Sequence, residues 1–347
     1  MDNVKRKMRE SILRRISLLA VLAVGACLLL TVAESGANIL LTKHNLSASG
    51  LGTIKAVDES RVCIFCHATH HASSENPLWS REMSSALYSP YQSQTLIASP
   101  GQPTGGSKLW LSCHDGTIDL GMLYNKPDQI AMQGGITNMP VGQTNLETDL
   151  SDDHPISFAY TNALSIARGE LANPSGLPSE VRLENGDTMQ CSTCHNAHKD
   201  PHGKFLVMDN TASALCRQCH VMQGWLSADH GNDAQVSADA CLNCHQTHLA
   251  PGSDYLVSSA VEEQTCTGSC HNGSGTGINV STDFGKMYNH PLNWVSGLHQ
   301  PNEAALTMSK HVECVDCHDP HQANGSDGPL SAPPSVNSVV QGVSGLS

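Results

Sequence analysis

Large aromatic side chains are scarce in this chain: four Phe, four Trp and six Tyr among 347 residues. Over that length, so little bulk leaves an ordinary protein interior underfilled, and something other than protein must occupy it. Basic residues are also in the minority, 19 Lys and Arg against 32 Asp and Glu, for a formal charge of −13. An acidic surface argues against nucleic acid and favours solubility and the steering of basic partners. Long apolar runs are missing with one exception. Ile16 to Ala33 is uncharged and largely apolar, and it follows Lys5, Arg6, Lys7, Arg9, Arg14 and Arg15. With small residues after it, offering cleavage behind Ala33 or Ala37, this is the layout of a secretory signal. The run is also just long enough to span a bilayer, so an N-terminal anchor is the other reading. A faint lipoprotein box at Val24-Gly25-Ala26-Cys27 is weakened by the apolar residues that continue through Leu30. Removing residues 1–33 takes away six basic and two acidic side chains and leaves the chain more acidic still.

What the chain has in quantity is cysteine and histidine, 14 and 19. Export would permit a disulfide framework, but the spacings reject one. Cys63/Cys66-His67, Cys191/Cys194-His195, Cys216/Cys219-His220, Cys241/Cys244-His245 and Cys314/Cys317-His318 are five copies of CXXCH, and Cys266/Cys270-His271 is a sixth with one residue inserted. Cysteines three apart lie on one side of a helical turn, where both can add to the two vinyl groups of one porphyrin while the next His reaches the iron. Zinc knuckles and redox CXXC motifs need no His directly after every second Cys. The pattern is that of covalent haem c attachment. Haems would also make good the missing bulk. The expected fold is a multihaem cytochrome c, mostly irregular, with short α-helices wrapped around a chain of stacked haems and little β.

Outside these pairs stand Cys27, in the leader, and Cys113, in the stretch KLWLSCHDGT at 108–117. There Trp110 occupies the place of a first cysteine and His114 that of the proximal ligand. Its position relative to Cys63–His67 makes it the second member of a first pair, so we count six sites plus a seventh held by one thioether. Cys191 to Cys241 and Cys216 to Cys266 are each 50 residues apart, and GKFLV at 203–207 echoes SDYLV at 253–257. A fixed period of this kind marks repeats. The chain divides into a leader at 1–33, a first haem pair with connector at 34–150, a second pair at 151–235, a third at 236–290, a terminal single-haem unit at 291–325 and a flexible Ser/Gly/Pro-rich tail at 326–347. Residues 124–150 read as an irregular connector, and LSIARGELA at 164–172 as a short surface helix.

The sixth iron ligand decides between electron transfer and catalysis. Beyond the seven proximal histidines (67, 114, 195, 220, 245, 271, 318), twelve remain. His70, His198, His248 and His321 each follow a proximal His by three residues. An i,i+3 pair shares a helix face, so the second imidazole is expected on the iron of a neighbouring haem. His154 and His290 share the phrase His-Pro, which favours extended backbone. His44 completes a set of seven, His311 and His230 are reserves, and His71, His202 and His299 are read as surface histidines. Methionines show no such register and are read as core filling.

CIFCHATH, CSTCHNAH, CLNCHQTH and CVDCHDPH, the stretch GKFLVMDNTASALCRQCH at 203–220 and the opening KHNLS together resemble the doubled-CXXCH multihaem c-type cytochromes of metal- and mineral-reducing bacteria, over most of residues 38–325. The resemblance implies periplasmic or cell-surface electron transfer through bis-histidine haems, in extracellular or anaerobic respiration. The partners it implies are other redox proteins: cytochromes, quinol-side donors or an outer-membrane conduit. In such proteins Trp110 is normally Cys. Two other functions compete with a non-catalytic carrier. One is a multihaem reductase of a small nitrogen compound, for which the inserted residue at Cys266–His271 is the best candidate site. The other is a subunit of an extracellular cytochrome filament, with His44 lent to the next copy.

Overall fold

The computed structural model describes residues 39–70, 72, 78–93, 95–275, 278–289, 314–316 and 318–322. The leader, the tail and His71, His290, His299, His311 and Cys317 lie outside the described residues. Among those described, no helix is long and apolar enough to cross a membrane.

Regular structure is sparse, as the sequence predicts. The helices are α1 (Gly105–His114), α2 (Asn162–Arg168), α3 (Cys191–Cys194), α4 (Cys216–Cys219), α5 (Asp229–Asn232), α6 (Ala234–Asp239), α7 (Glu262–Thr267) and α8 (Ser281–Phe284). Among the described residues, four two-residue strands make two small pairings. β1 (Ser89–Pro90) runs parallel to β2 (Asp149–Leu150), and β3 (Phe158–Ala159) antiparallel to β4 (Thr188–Met189). The helix expected at 164–172 starts two residues earlier, where Thr161 caps it by accepting from Leu164 N–H. It stops at Arg168 because Gly169 takes the left-handed conformation, φ 74°, which a glycine adopts without strain.

The apolar residues form three separate small clusters. Ala56, Phe65, Leu120, Leu123, Ile130 and Met132 make the largest; Tyr88, Leu111 and Leu150 a second; Tyr91, Ala250 and Leu256 a third. Fragmentation of this kind is what the shortage of aromatics implies. The stretch 124–150 is irregular as expected, yet it does more than connect, since Ile130 and Met132 belong to the largest cluster.

The motif turns and the segments returning past them show the repeat in three dimensions. After the first motif Ser80 N–H donates to Cys66 O, after the third Val207 N–H to Cys194 O, and after the fifth Ser258 N–H to Cys244 O, at 2.8–3.0 Å. Each return passes through a residue of positive φ, Leu78, Phe205 or Leu256, whose carbonyl accepts from the residue just after the motif His. The 50-residue echo in the text aligns Phe205 with Tyr255. The structure instead puts Phe205 and Leu256 in equivalent places, both buried, because the return segment of the later unit slips by one residue.

Candidate haem sites

Among the described residues, five motifs form tight turns at their cysteines. Cys191–Cys194 and Cys216–Cys219 are single α-turns, and Cys63–Phe65, Ala240–Asn243 and Cys314–Asp316 are 3-10 turns. The chain leaves the helix at the histidine, with His195 at φ −123°, ψ 145° and His220 at φ −89°, ψ 114°. The expectation that the two histidines of HxxH share a helix face is therefore wrong. The second one reaches a neighbouring site because extended backbone after the first carries it away.

The imidazoles stand in pairs. Ring centres lie 6.1 Å apart for His114 and His44, 6.0 Å for His67 and His198, 6.1 Å for His195 and His248, 6.2 Å for His220 and His154, 6.0 Å for His245 and His321, and 6.0 Å for His271 and His230. Two imidazoles binding one metal ion from opposite sides, at metal–nitrogen distances of about 2.0 Å, have ring centres about 6 Å apart. Among the described residues no cluster of three or more His, Cys, Asp or Glu could hold a metal ion unaided. A porphyrin, which brings four equatorial nitrogens of its own, needs only such pairs.

The second ring nitrogens fix the tautomers. Nδ1–H donates to a backbone carbonyl from His44 (Ala197 O, 3.0 Å), His114 (Thr144 O, 2.7 Å), His154 (Pro155 O, 3.0 Å), His195 (Lys204 O, 2.9 Å), His230 (Pro320 O, 3.1 Å), His245 (Tyr255 O, 2.9 Å) and His271 (Ile278 O, 3.0 Å). A carbonyl only accepts, so Nδ1 carries the proton and Nε2 keeps its lone pair, the usual arrangement of a metal-binding histidine. Burial pushes His114 and His220 down to about 4, and lowers His44, His154, His195 and His321 as well. At neutral pH these rings are uncharged.

Successive motifs meet at their cysteines. Burial, the largest cause, pushes Cys66 and Cys194 up to about 12 and raises Cys244. A thiol of the next motif lies close enough to add to this in each case: Cys113 beside Cys66, Cys219 beside Cys194 and Cys270 beside Cys244. Cys216 stands in hydrogen-bond contact with Cys241, and Cys266 with Cys314. The HxxH loops knit the same units together from the other side. His44 bonds to the carbonyl of Ala197, just before His198; the backbone N–H of His154 donates to Thr247 O, just before His248; and His230 bonds to Pro320 O, just before His321.

The Trp110 indole is 5.9 Å from both His44 and His114, equidistant from the two rings of that pair, and 5.6 Å from His195. Of the other sequence candidates, His230, held in reserve, faces His271. His70 is exposed and faces no imidazole among the described residues. Sequence reasoning missed Phe205, stacked on His44 at 4.0 Å, and Asp153, which receives His248 Nδ1–H at 2.8 Å. Neither carried a motif; the only signal was their neighbourhood to His198 and His154.

Repeated CXXCH turns with imidazole pairs of this kind imply covalently bound haem c. Residues 184–224, which hold Cys191–His195 and Cys216–His220, match the doubled CXXCH motif family. Comparison with curated proteins gives no match.

Proposed function

We propose that the protein is a multihaem c-type cytochrome that carries electrons through seven closely spaced haems, each iron held between two histidines. The observation that carries this reading is the set of six imidazole pairs at 6.0–6.2 Å. In it the proximal ligands are His67, His114, His195, His220, His245 and His271, facing His198, His44, His248, His154, His321 and His230 in that order. Each haem, when bound, supplies one-electron iron chemistry. The motif cysteines would tether it, and the paired histidines, their rings oriented by Nδ1–H bonds, would hold its iron from both sides. An iron so held would exchange electrons and offer no place for a substrate, which favours a carrier over a reductase. The contacts between successive motifs support an array in chain order. His318 belongs to the seventh site, with His290 and His311, outside the described residues, as candidates for its second ligand. Export to the periplasm or outer surface, by way of the 1–33 leader, and redox-protein partners complete the reading.

The test is made on protein matured through a haem-attachment route. Intact mass is expected to show seven haems, and the reduced protein to bind almost no carbon monoxide. Substantial carbon monoxide binding would favour the reductase, and a colourless product would end the reading altogether.

A second reading, assembly of copies end to end, is favoured by one observation. His198, His248 and His321 each face the iron position of another unit, while their register equivalent His70 is exposed and, among the described residues, makes no ring contact. His44, the residue first suggested by the sequence for such sharing, faces His114 in its own chain. If His70 serves a haem of a second copy, His70→Ala converts a filament into discrete particles under the electron microscope. Discrete particles from the unmodified protein would remove this reading.

A further inference from the structure

The ring hydrogen bonds differ in kind at one place. Seven of the paired imidazoles donate Nδ1–H to neutral backbone carbonyls, but His248 donates to Oδ1 of Asp153 at 2.8 Å. Asp153 is 4% exposed, and its Oδ1 also accepts the Leu249 N–H at 3.3 Å. Its other oxygen, Oδ2, is buried with no hydrogen-bond partner, so the ring N–H and one backbone N–H are all the direct stabilisation the group receives. The superficially similar His321 and Asp319 are 3.6 Å apart and half-buried, too far for a hydrogen bond. Asp152, next to Asp153, has a buried Oδ1 without a partner and does not touch the ring.

A carboxylate in a place with little water pulls on an N–H proton harder than a carbonyl does. The ring then gives more electron density to whatever its Nε2 binds, and a more basic axial ligand favours the oxidised over the reduced iron. Taking as given that His195 and His248 hold a haem iron, we propose that Asp153 is a positioning residue that lowers the reduction potential of that one site. This site lies inside the array: the His195 loop carries His198 toward His67, and the His245 loop supplies His248. The interior of the array is therefore reduced after its neighbours.

The test is redox potentiometry, followed by electron paramagnetic resonance, on the full haem-loaded chain. Asp153→Asn keeps the shape and an accepting oxygen but removes the charge. One component is expected to move to a more positive potential by about a tenfold change in its reduction equilibrium, ~59 mV for one electron, with the others fixed. Asp153→Glu should restore part of the shift, and Asp152→Asn should single out no component. The proposal is overturned if no component moves in Asp153→Asn, or if all move together as for a general loss of charge. Should that variant fail to mature, the unmodified protein decides. In its reduced form the Nδ1 proton of His248 should resonate further downfield than those of the other ring ligands, and its absence there also overturns the proposal. A missing haem by mass, or no low-spin signal from this site in the unmodified protein, would instead count against the ligand pairing.

Discussion

The second motifs of the first and second pairs hold their imidazoles at nearly the same separation on different supports. His114 and His44 stand 6.1 Å apart, His220 and His154 6.2 Å. Yet His220 follows a four-residue turn with two cysteines, and His114 ends the ten-residue helix α1, with one cysteine and a tryptophan. Around α1 the polypeptide is tied down heavily. Arg81, fully buried, donates to the carbonyls of Ser112, Asp119 and Leu120 at 3.0–3.3 Å. Tyr88 donates to Asp115 at 2.6 Å, Gly106 N–H to Glu184, and Ser107 bonds to Gln190 and receives Cys191 N–H. The histidine pair is thus positioned by backbone and buried polar contacts, and the cysteines add a tether to a place already shaped. Where one tether is lacking, the frame is thicker.

Restoring the tether is the largest perturbation available to that comparison. Trp110→Cys completes the CXXCH motif that Cys113 and His114 leave unfinished, and the pyridine haemochrome spectrum of the peptide carrying this site should change from that of a porphyrin keeping one free vinyl group to that of one with both vinyls saturated. An unchanged spectrum would mean that the second thioether does not form. Arg81→Met strips the frame instead. Several charge-assisted bonds to otherwise buried carbonyls disappear, at about 1.5–3 kcal/mol each before relaxation, so chemical denaturation should show a loss of at least ~3 kcal/mol. A loss below ~1 kcal/mol would mean that the guanidinium is not what holds α1. The two tyrosines give a finer comparison. Tyr88→Phe leaves a buried carboxylate short of a donor and should cost about 2 kcal/mol, whereas Tyr160→Phe removes a bond to the neutral Ala172 carbonyl and should cost about 1 kcal/mol. Equal costs would show that the Asp115 charge plays no special part.

The smallest effect concerns acid. Hydrogen bonds from Arg61 hold the Glu59 carboxyl down to about 2, with Lys126 also nearby at 3.6 Å. A depressed carboxyl stabilises the fold fully above its unfolded value of 4.5 and ceases to do so as the pH falls toward about 2. Arg61 is exposed, so the pair is screened by solvent, and Glu59→Gln should cost no more than about 1 kcal/mol at neutral pH. In acid unfolding, the two proteins should become indistinguishable near pH 2. A difference that persists there would assign the effect to packing.

Much of the site was legible in the text because its parts are local. Cys-X-X-Cys-His is a short local motif, and any backbone that turns once there presents both thiols and one ring. Poverty in aromatics foretold a broken core, and the clusters around Phe65, Leu111 and Leu256 are separate. The partners of the rings were legible only as a pool. His198, His248 and His321 face imidazoles of other motifs, though not by a shared helix face; His230, held in reserve, faces His271, and His70 faces no imidazole among the described residues. Nothing in the text set Asp153 or Arg81 apart from other Asp and Arg, and Phe205 stood out only as part of the GKFLV echo. The 50-residue echo even misaligned Phe205 by one residue, since a slip in an irregular return leaves no mark on the letters.

The amino-acid sequence determined by itself where porphyrin can be attached and which histidine leads at each motif, because covalent reach is set within a single turn of chain. Tertiary structure alone decided which distant imidazole completes each pair, which carboxylate leans on one of them, and how the place behind Trp110 keeps its shape. Those choices depend on loops far apart in the chain arriving within a few ångströms of one another, as His44 does beside Ala197, and only the packing of the whole brings them there.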